Sequence, residues 1–286
     1  MKGLVIALLL LAVQSPVGAQ EYSVTGMVLG VDRSRNAFTA SIQAVPGFMP
    51  AMTMPFEVRQ RRDLEGVVPG ALVEFVLVVK GSSSHVERMR IVRYQSTEQD
   101  PLAASRLKLL TRVAGAPPRQ VLGIGDVVPD FRLTDQMGRP MALSALRGKV
   151  VAINFIYTSC PLPNFCLRIA NNFGVLQKRF KARLGSDLVL LTVTFDPVHD
   201  TREVLAKYAS RWNPDPAWHF LTGPIPDVQR VCHLFGVEYF PDEGLMNHSL
   251  HTAIIDRRGK VVANVEGNQF TADQLGDLTE AALSSK

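Results

Sequence analysis

Val150-Val151-Ala152-Ile153-Asn154-Phe155-Ile156-Tyr157-Thr158-Ser159-Cys160-Pro161-Leu162-Pro163-Asn164-Phe165-Cys166 begins as a mainly apolar run and ends in two cysteines separated by five residues. Such a run reads as a buried strand, and Ile169, Phe173, Leu176 and Phe180 follow it at helical spacing. Residues 188–194 repeat the strand pattern and further helical periods follow, so the chain from Gly125 onward reads as an α/β domain. Pro163 pushes Leu162 out of helical conformation, so a loop separates strand from helix. Asn164 is the expected N-cap. It would place Cys166 in the first helical turn, where free N–H groups and the helix dipole favour a thiolate, with Arg168 adding positive charge. Cys166 also continues the inward stripe of Ile169 and Phe173, which turns its sulfur back toward Cys160.

The start of the chain changes what this pair means. Lys2, an apolar run over residues 4–13 and Val17-Gly18-Ala19 form the pattern of a cleaved export signal spanning residues 1–19. The alternative is a retained membrane anchor, but ten apolar residues rise only about 15 Å as a helix, roughly half the hydrocarbon thickness, which favours a soluble mature protein. Outside the cytosol thiols normally end as structural disulfides, and a domain large enough to build its own core needs none. A close pair there implies a structural disulfide, thiol exchange or metal binding. The third cysteine, Cys232, falls with Val228, Val231 and Phe235 on the apolar face of a helix and reads as a small core residue.

Composition is that of a folded protein, 47% hydrophobic and 20% charged, with a net charge of +5 spread along the chain. No aromatic–basic interleaving accompanies that charge, which argues against nucleic-acid binding. Residues 20–94 carry five short β-rich runs at 23–31, 38–43, 52–59, 71–80 and 85–94, separated by turn signals, and predict a small closed five-stranded barrel of the OB type. Residues 95–124, with an expected short helix near 102–113 and Gly115-Ala116-Pro117-Pro118, read as a linker. In the second domain, 125–286, two capping-box patterns mark helix starts, Asp200 with Glu203 and Thr271 with Gln274. A hairpin over 252–255 and 261–265 turns at Asp256-Arg257-Arg258-Gly259.

Met246-Asn247-His248-Ser249 precedes that hairpin, where an ordinary thioredoxin-like oxidoreductase would carry a proline. Together with Gly125-Asp126-Val127-Val128-Pro129-Asp130-Phe131, the cysteine loop and Asp196-Pro197-Val198-His199-Asp200-Thr201, it resembles the Sco/SenC family of copper-binding, thioredoxin-fold proteins that serve cytochrome c oxidase assembly. The resemblance implies copper ligation by Cys160, Cys166 and His248. It departs from the family in having five rather than three residues between the cysteines. Two thiolates and an imidazole suit Cu(I) and tolerate Cu(II); zinc could take the same ligands, but a structural zinc site closes with four and no fourth is evident. His251 competes with His248, although three residues apart on one strand the two face opposite ways. Asp196 is a candidate supporting or partner-contacting residue.

In the first region Phe48-Met49-Pro50-Ala51-Met52-Thr53-Met54-Pro55-Phe56 gathers three thioethers, soft donors that suit Cu(I) and more often simply fill a core. The segment resembles CusF-type periplasmic domains, five-stranded barrels that hold Cu(I) or Ag(I). Met52 and Met54 fall on that family's methionine ligands, while Met49 stands in its tryptophan place and Ile42 near its histidine place. These resemblances imply a soluble periplasmic copper chaperone delivering to a cytochrome oxidase copper centre. Met49, Met52 and Met54 are the candidate second site, with His85 a remote alternative donor; the alternative is a barrel that has lost metal and serves as a docking module. The chaperone would need a thiol-reducing partner protein. The alternatives are a thiol–disulfide oxidoreductase using Cys160 and Cys166, and a copper-sequestering tolerance protein.

Overall fold

The computed structural model describes residues 19–92, 121–242 and 245–285. Residues 1–18 of the expected leader and 95–120 of the expected linker, including its expected short helix, lie outside them.

Five antiparallel strands form the first sheet: β1 (Gln20–Asp32), β2 (Ala37–Ile42), β3 (Met52–Glu57), β4 (Leu72–Lys80) and β5 (Ser83–Ile91), in the order β3-β2-β1-β4-β5. The expected closed barrel is corrected to a partly open one. Its edge strands β3 and β5 do not pair along their length; Val58 just past β3 bridges Val86 of β5, and that bridge alone brings the edges together among the described residues. Phe38, Phe56 and Phe75 fill the interior with ring centroids 4.9–5.7 Å apart.

The second region is built on a seven-stranded sheet. Its strands are β6 (Arg132–Asp135), β7 (Pro140–Ala142), β8 (Val150–Ile156), β9 (Leu188–Thr194), β10 (Trp218–Thr222), β13 (His251–Ile255) and β14 (Val261–Glu266), in the order β14-β13-β8-β9-β10-β6-β7. β8, β9 and β10 are parallel and the flanking pairs antiparallel. Every residue of β8 and β9 is buried, the burial expected of parallel strands covered on both faces. A separate ribbon pairs β11 (Tyr239–Asp242) with β12 (Leu245–His248). Among the described residues four α-helices complete the domain: α1 (Arg168–Arg179), α2 (Arg202–Ala209), α3 (Ile225–Leu234) and α4 (Ala272–Ser284). This is the thioredoxin-like architecture the sequence predicts.

Thr271 and Gln274 form the reciprocal capping box expected at the start of α4. At α2 the cap is Thr201, whose side chain accepts from the Val204 N–H, and not Asp200. Asp200 is turned inward instead: it accepts from the Thr158 N–H at 3.0 Å, the Thr194 hydroxyl at 2.5 Å and the Thr158 hydroxyl. These contacts tie the end of β8 to the end of β9, just before the cysteine loop.

The two regions are packed together. Ser41 and Thr53 donate to Asp277 of α4 at 2.7 and 3.0 Å, and Arg179 of α1 donates to its other oxygen at 2.6 Å. Gln274 donates to the Ser41 carbonyl at 3.1 Å, and Met27 and Leu72 of the first sheet join the core of the second. Gly70 sits between them at φ +87°, and a Cβ there would lie 3.1–3.2 Å from Val265 and Ala263, so both conformation and contact require glycine.

Candidate metal centre

The cysteine loop begins where β8 leaves the sheet. The Cys160 N–H reaches back to the Tyr157 carbonyl at 3.4 Å, and a kinked wide turn over Pro163–Leu167 precedes α1. Phe165 breaks the helical geometry there (φ −108°, ψ −111°), and Leu162, without a side-chain cap, precedes the turn. Asn164 is therefore not the N-cap that the sequence predicts. Its carbonyl accepts from the Asn268 side-chain amide, while Arg168 donates to the Phe270 carbonyl at 3.3 Å, so the loop is laced to the approach to α4.

This path brings Cys160, Cys166 and His248 together, with one donor atom from each all within 4.8 Å of one another. Among the described residues it is the one cluster of at least three His, Cys, Asp or Glu side chains able to share an ion. No disulfide joins the sulfurs. His248 Nε2 lies 3.8 Å from the Cys166 sulfur, and Nδ1 lies 3.0 Å from the Ser249 carbonyl oxygen. A carbonyl can only accept, so Nδ1 carries the proton and Nε2 offers its lone pair to the cluster, the arrangement in which imidazole ligates a metal. Tyr157 meets the His248 ring edge-on at 5.6 Å, Phe195 lies at 4.8 Å from it, and Tyr239 stacks on Phe195.

Burial divides the donors. Cys166 and His248 are buried at 1% and 7% exposure, whereas Cys160 is half-buried. The two sulfurs are pushed in opposite directions. A hydrogen bond from Cys166, and a weaker one involving His248, lower the Cys160 pKa to about 4 despite burial. Burial first, then the neighbouring Cys160, pushes the Cys166 thiol well above its ordinary value. A soft cation binding both sulfurs would displace any proton held there, because the ligating form of cysteine is the thiolate.

The other candidates stand apart from this cluster. His251 begins β13, pairs with Asn264 at 3.1 Å, and is held neutral by burial, with its pKa lowered to about 4. Asp196 engages His199 at 2.8 Å on the surface and borders a groove beside the cluster. Cys232 is buried in α3, where burial raises its pKa, as expected of a core residue. In the first region Met49 and Met54 are half-buried against the barrel core and Met52 is 44% exposed. His85 is engaged by Glu87 at 3.0 Å. Sequence reasoning missed the aromatic wall of Tyr157, Phe195 and Tyr239. Tyr157, three residues before Cys160, was the available signal.

A thioredoxin-like domain with two cysteines at a strand-to-helix loop and a histidine facing them defines a class of thiol- and imidazole-bearing carriers and exchangers. Residues 121–283 match the SCO1/SenC family, and the chain belongs to it. Residues 21–91 match a second family, described as copper binding periplasmic protein CusF. The chain is 30% identical over 141 residues to an SCO2-like protein of Rickettsia typhi, covering 46% of this chain and 66% of that one. To the mitochondrial protein SCO1 of Saccharomyces cerevisiae it is 28% identical over 140 residues, covering 46% of each. It thus spans somewhat under two thirds of the first relative and under half of the second. The crystal structure of yeast Sco1 with copper bound aligns with 58% of this chain and 91% of its own, at 25% identity and a TM-score of 0.48.

Proposed function

We propose that this protein is an exported copper carrier that holds the ion between Cys160, Cys166 and His248 and delivers it to the copper centre of a cytochrome c oxidase during assembly. The observation that carries the reading is the convergence of two sulfurs and an imidazole nitrogen within 4.8 Å, in a pocket walled by aromatic rings. That donor set is soft and suits Cu(I). The membership in SCO1/SenC and the yeast relative with copper bound support copper over zinc. No helix among the described residues is long and apolar enough to cross a membrane, and the leader-like residues 1–19 together with the CusF match support a soluble periplasmic location.

In this reading residues 20–94 form a CusF-like domain, 95–124 a linker and 125–286 the delivering domain. Met49, Met52 and Met54 form a weaker second Cu(I) site at the barrel surface. Two thiols are needed for tight binding, so a thiol-reducing partner must act before loading. Anaerobic Cu(I) titration of the reduced full-length protein, with X-ray absorption at the copper edge, tests the proposal. It expects a first equivalent with thiolate and imidazole scattering, and a second, weaker one with thioether scattering. Fast disulfide exchange without Cu(I) uptake against a competing chelator would instead establish an oxidoreductase, the reading favoured by the low pKa and partial exposure of Cys160. Copper-sensitive growth on deletion, with the oxidase normally loaded, would establish sequestration.

A further inference from the structure

Beside the cluster runs a groove of about 580 Å³ that includes Tyr157, Ser159, Phe195, Tyr239 and Met246 in its walls. Ser159 is the chain neighbour of Cys160, and Tyr157 and Phe195 both contact the His248 ring, so the groove shares walls with the donor cluster. One of its walls carries a further soft atom. Met246 lies two residues before His248 on β12, opposite Pro241, while His248 lies opposite Tyr239. Side chains alternate along a strand, so Met246 and His248 share one face, with backbone positions about 7 Å apart. The Met246 main chain and the Cys160 sulfur both lie close to the Tyr157 hydroxyl. Met246 thus lines the groove one strand repeat from His248, with Tyr157 between it and Cys160.

We infer that Met246 is a fourth donor to the same ion, a thioether at the groove side of the Cys160–Cys166–His248 cluster. The inference rests on the copper reading above and adds a ligand to it. Packing alone does not call for methionine at a half-buried groove wall, where leucine fills similar volume with fewer rotatable bonds. A neutral thioether binds Cu(I) without adding charge to a site that already supplies two thiolates, and it lets go more readily than a third thiolate would. It also gives the ion a foothold on the groove, from which an incoming acceptor can take it.

The test uses the reduced full-length protein labelled with selenomethionine and loaded with one equivalent of Cu(I). Selenium-edge X-ray absorption is expected to show copper–selenium scattering that persists in Met52→Leu/Met54→Leu and disappears in Met246→Leu. Transfer of Cu(I) from Met246→Leu to a chelator is expected to be about tenfold faster than from the parent protein, a difference of about 1.4 kcal/mol. Copper bound to sulfur and nitrogen with no selenium scattering, or scattering that survives Met246→Leu, overturns the inference and leaves the copper reading standing. A protein that takes up no Cu(I) overturns both.

Discussion

The cysteine pocket and the methionine surface of the barrel carry donors of similar softness in opposite settings. Cys166 and His248 are almost wholly buried among aromatic rings and already oriented, whereas Met52 stands 44% exposed on an edge strand. One region invests in preorganisation, with Asp200 clamping the strand end, the Ser249 carbonyl fixing the imidazole and Asn268 and Arg168 lacing the loop. The other leaves its thioethers on a small sheet whose edges barely meet. The contrast teaches that donor identity sets which metal is accepted, while burial and orientation set how firmly it is held.

Replacing either sulfur should break the comparison most severely. Cys160→Ser or Cys166→Ser is expected to weaken the first Cu(I) equivalent by at least about a thousandfold, on the order of 4 kcal/mol, as measured by competition with a chromophoric chelator. His248→Ala should weaken it less and leave the fold intact. An unchanged affinity in all three variants would mean that the pocket is not the tight site.

His251, at the start of β13 and apart from the pocket, gives the next largest effect. His251 is kept neutral with its pKa lowered to about 4, so the unfolded chain takes up a proton that the native ring refuses. Stability should therefore fall as pH drops from about 6.5 toward 4, by up to about 3 kcal/mol from this ring alone. Burial lowers the His219 pKa in the same direction, so the informative quantity is the difference between the parent and His251→Gln in urea unfolding at pH 7 and pH 4.5. Equal acid sensitivity in both would show that His251 is not the source.

Asp277→Ala sharpens the relation between the two regions. It removes the acceptor shared by Ser41, Thr53 and Arg179 and is expected to cost about 2 kcal/mol. Calorimetry should then resolve the barrel melting ahead of the α/β domain. The smallest effect belongs to Met52→Leu with Met54→Leu, which should change stability by less than about 1 kcal/mol while abolishing the second, weaker Cu(I) equivalent. An isolated loss of stability with both copper equivalents retained would make these methionines packing residues.

Features set by local chemistry were legible in the sequence. The apolar run before Cys160, the Thr271–Gln274 capping box and the 252–265 hairpin all came through intact, and it is His248, not His251, that lies beside the two sulfurs. What failed depends on partners distant in the chain. Asn164 looks like a helix cap by composition, yet the double proline imposes a wide turn and Asn268, more than a hundred residues away, claims its carbonyl. The burial of Cys166, which pushes its thiol up against the pull of a helix N-terminus, likewise comes from packing that the local sequence does not show. The docking of Ser41 on Asp277 joins residues 236 positions apart and leaves no periodic trace.

The unequal exposure of the two cysteines gives the pocket a front and a back. A visiting molecule meets Cys160 first, while Cys166 and the imidazole grip from behind a wall of rings. On the copper reading proposed above, unloading would follow that order: the front thiolate would yield first to the newcomer's own ligand and the rear pair would release last. Such an order would pass the ion from hand to hand without setting it free in water.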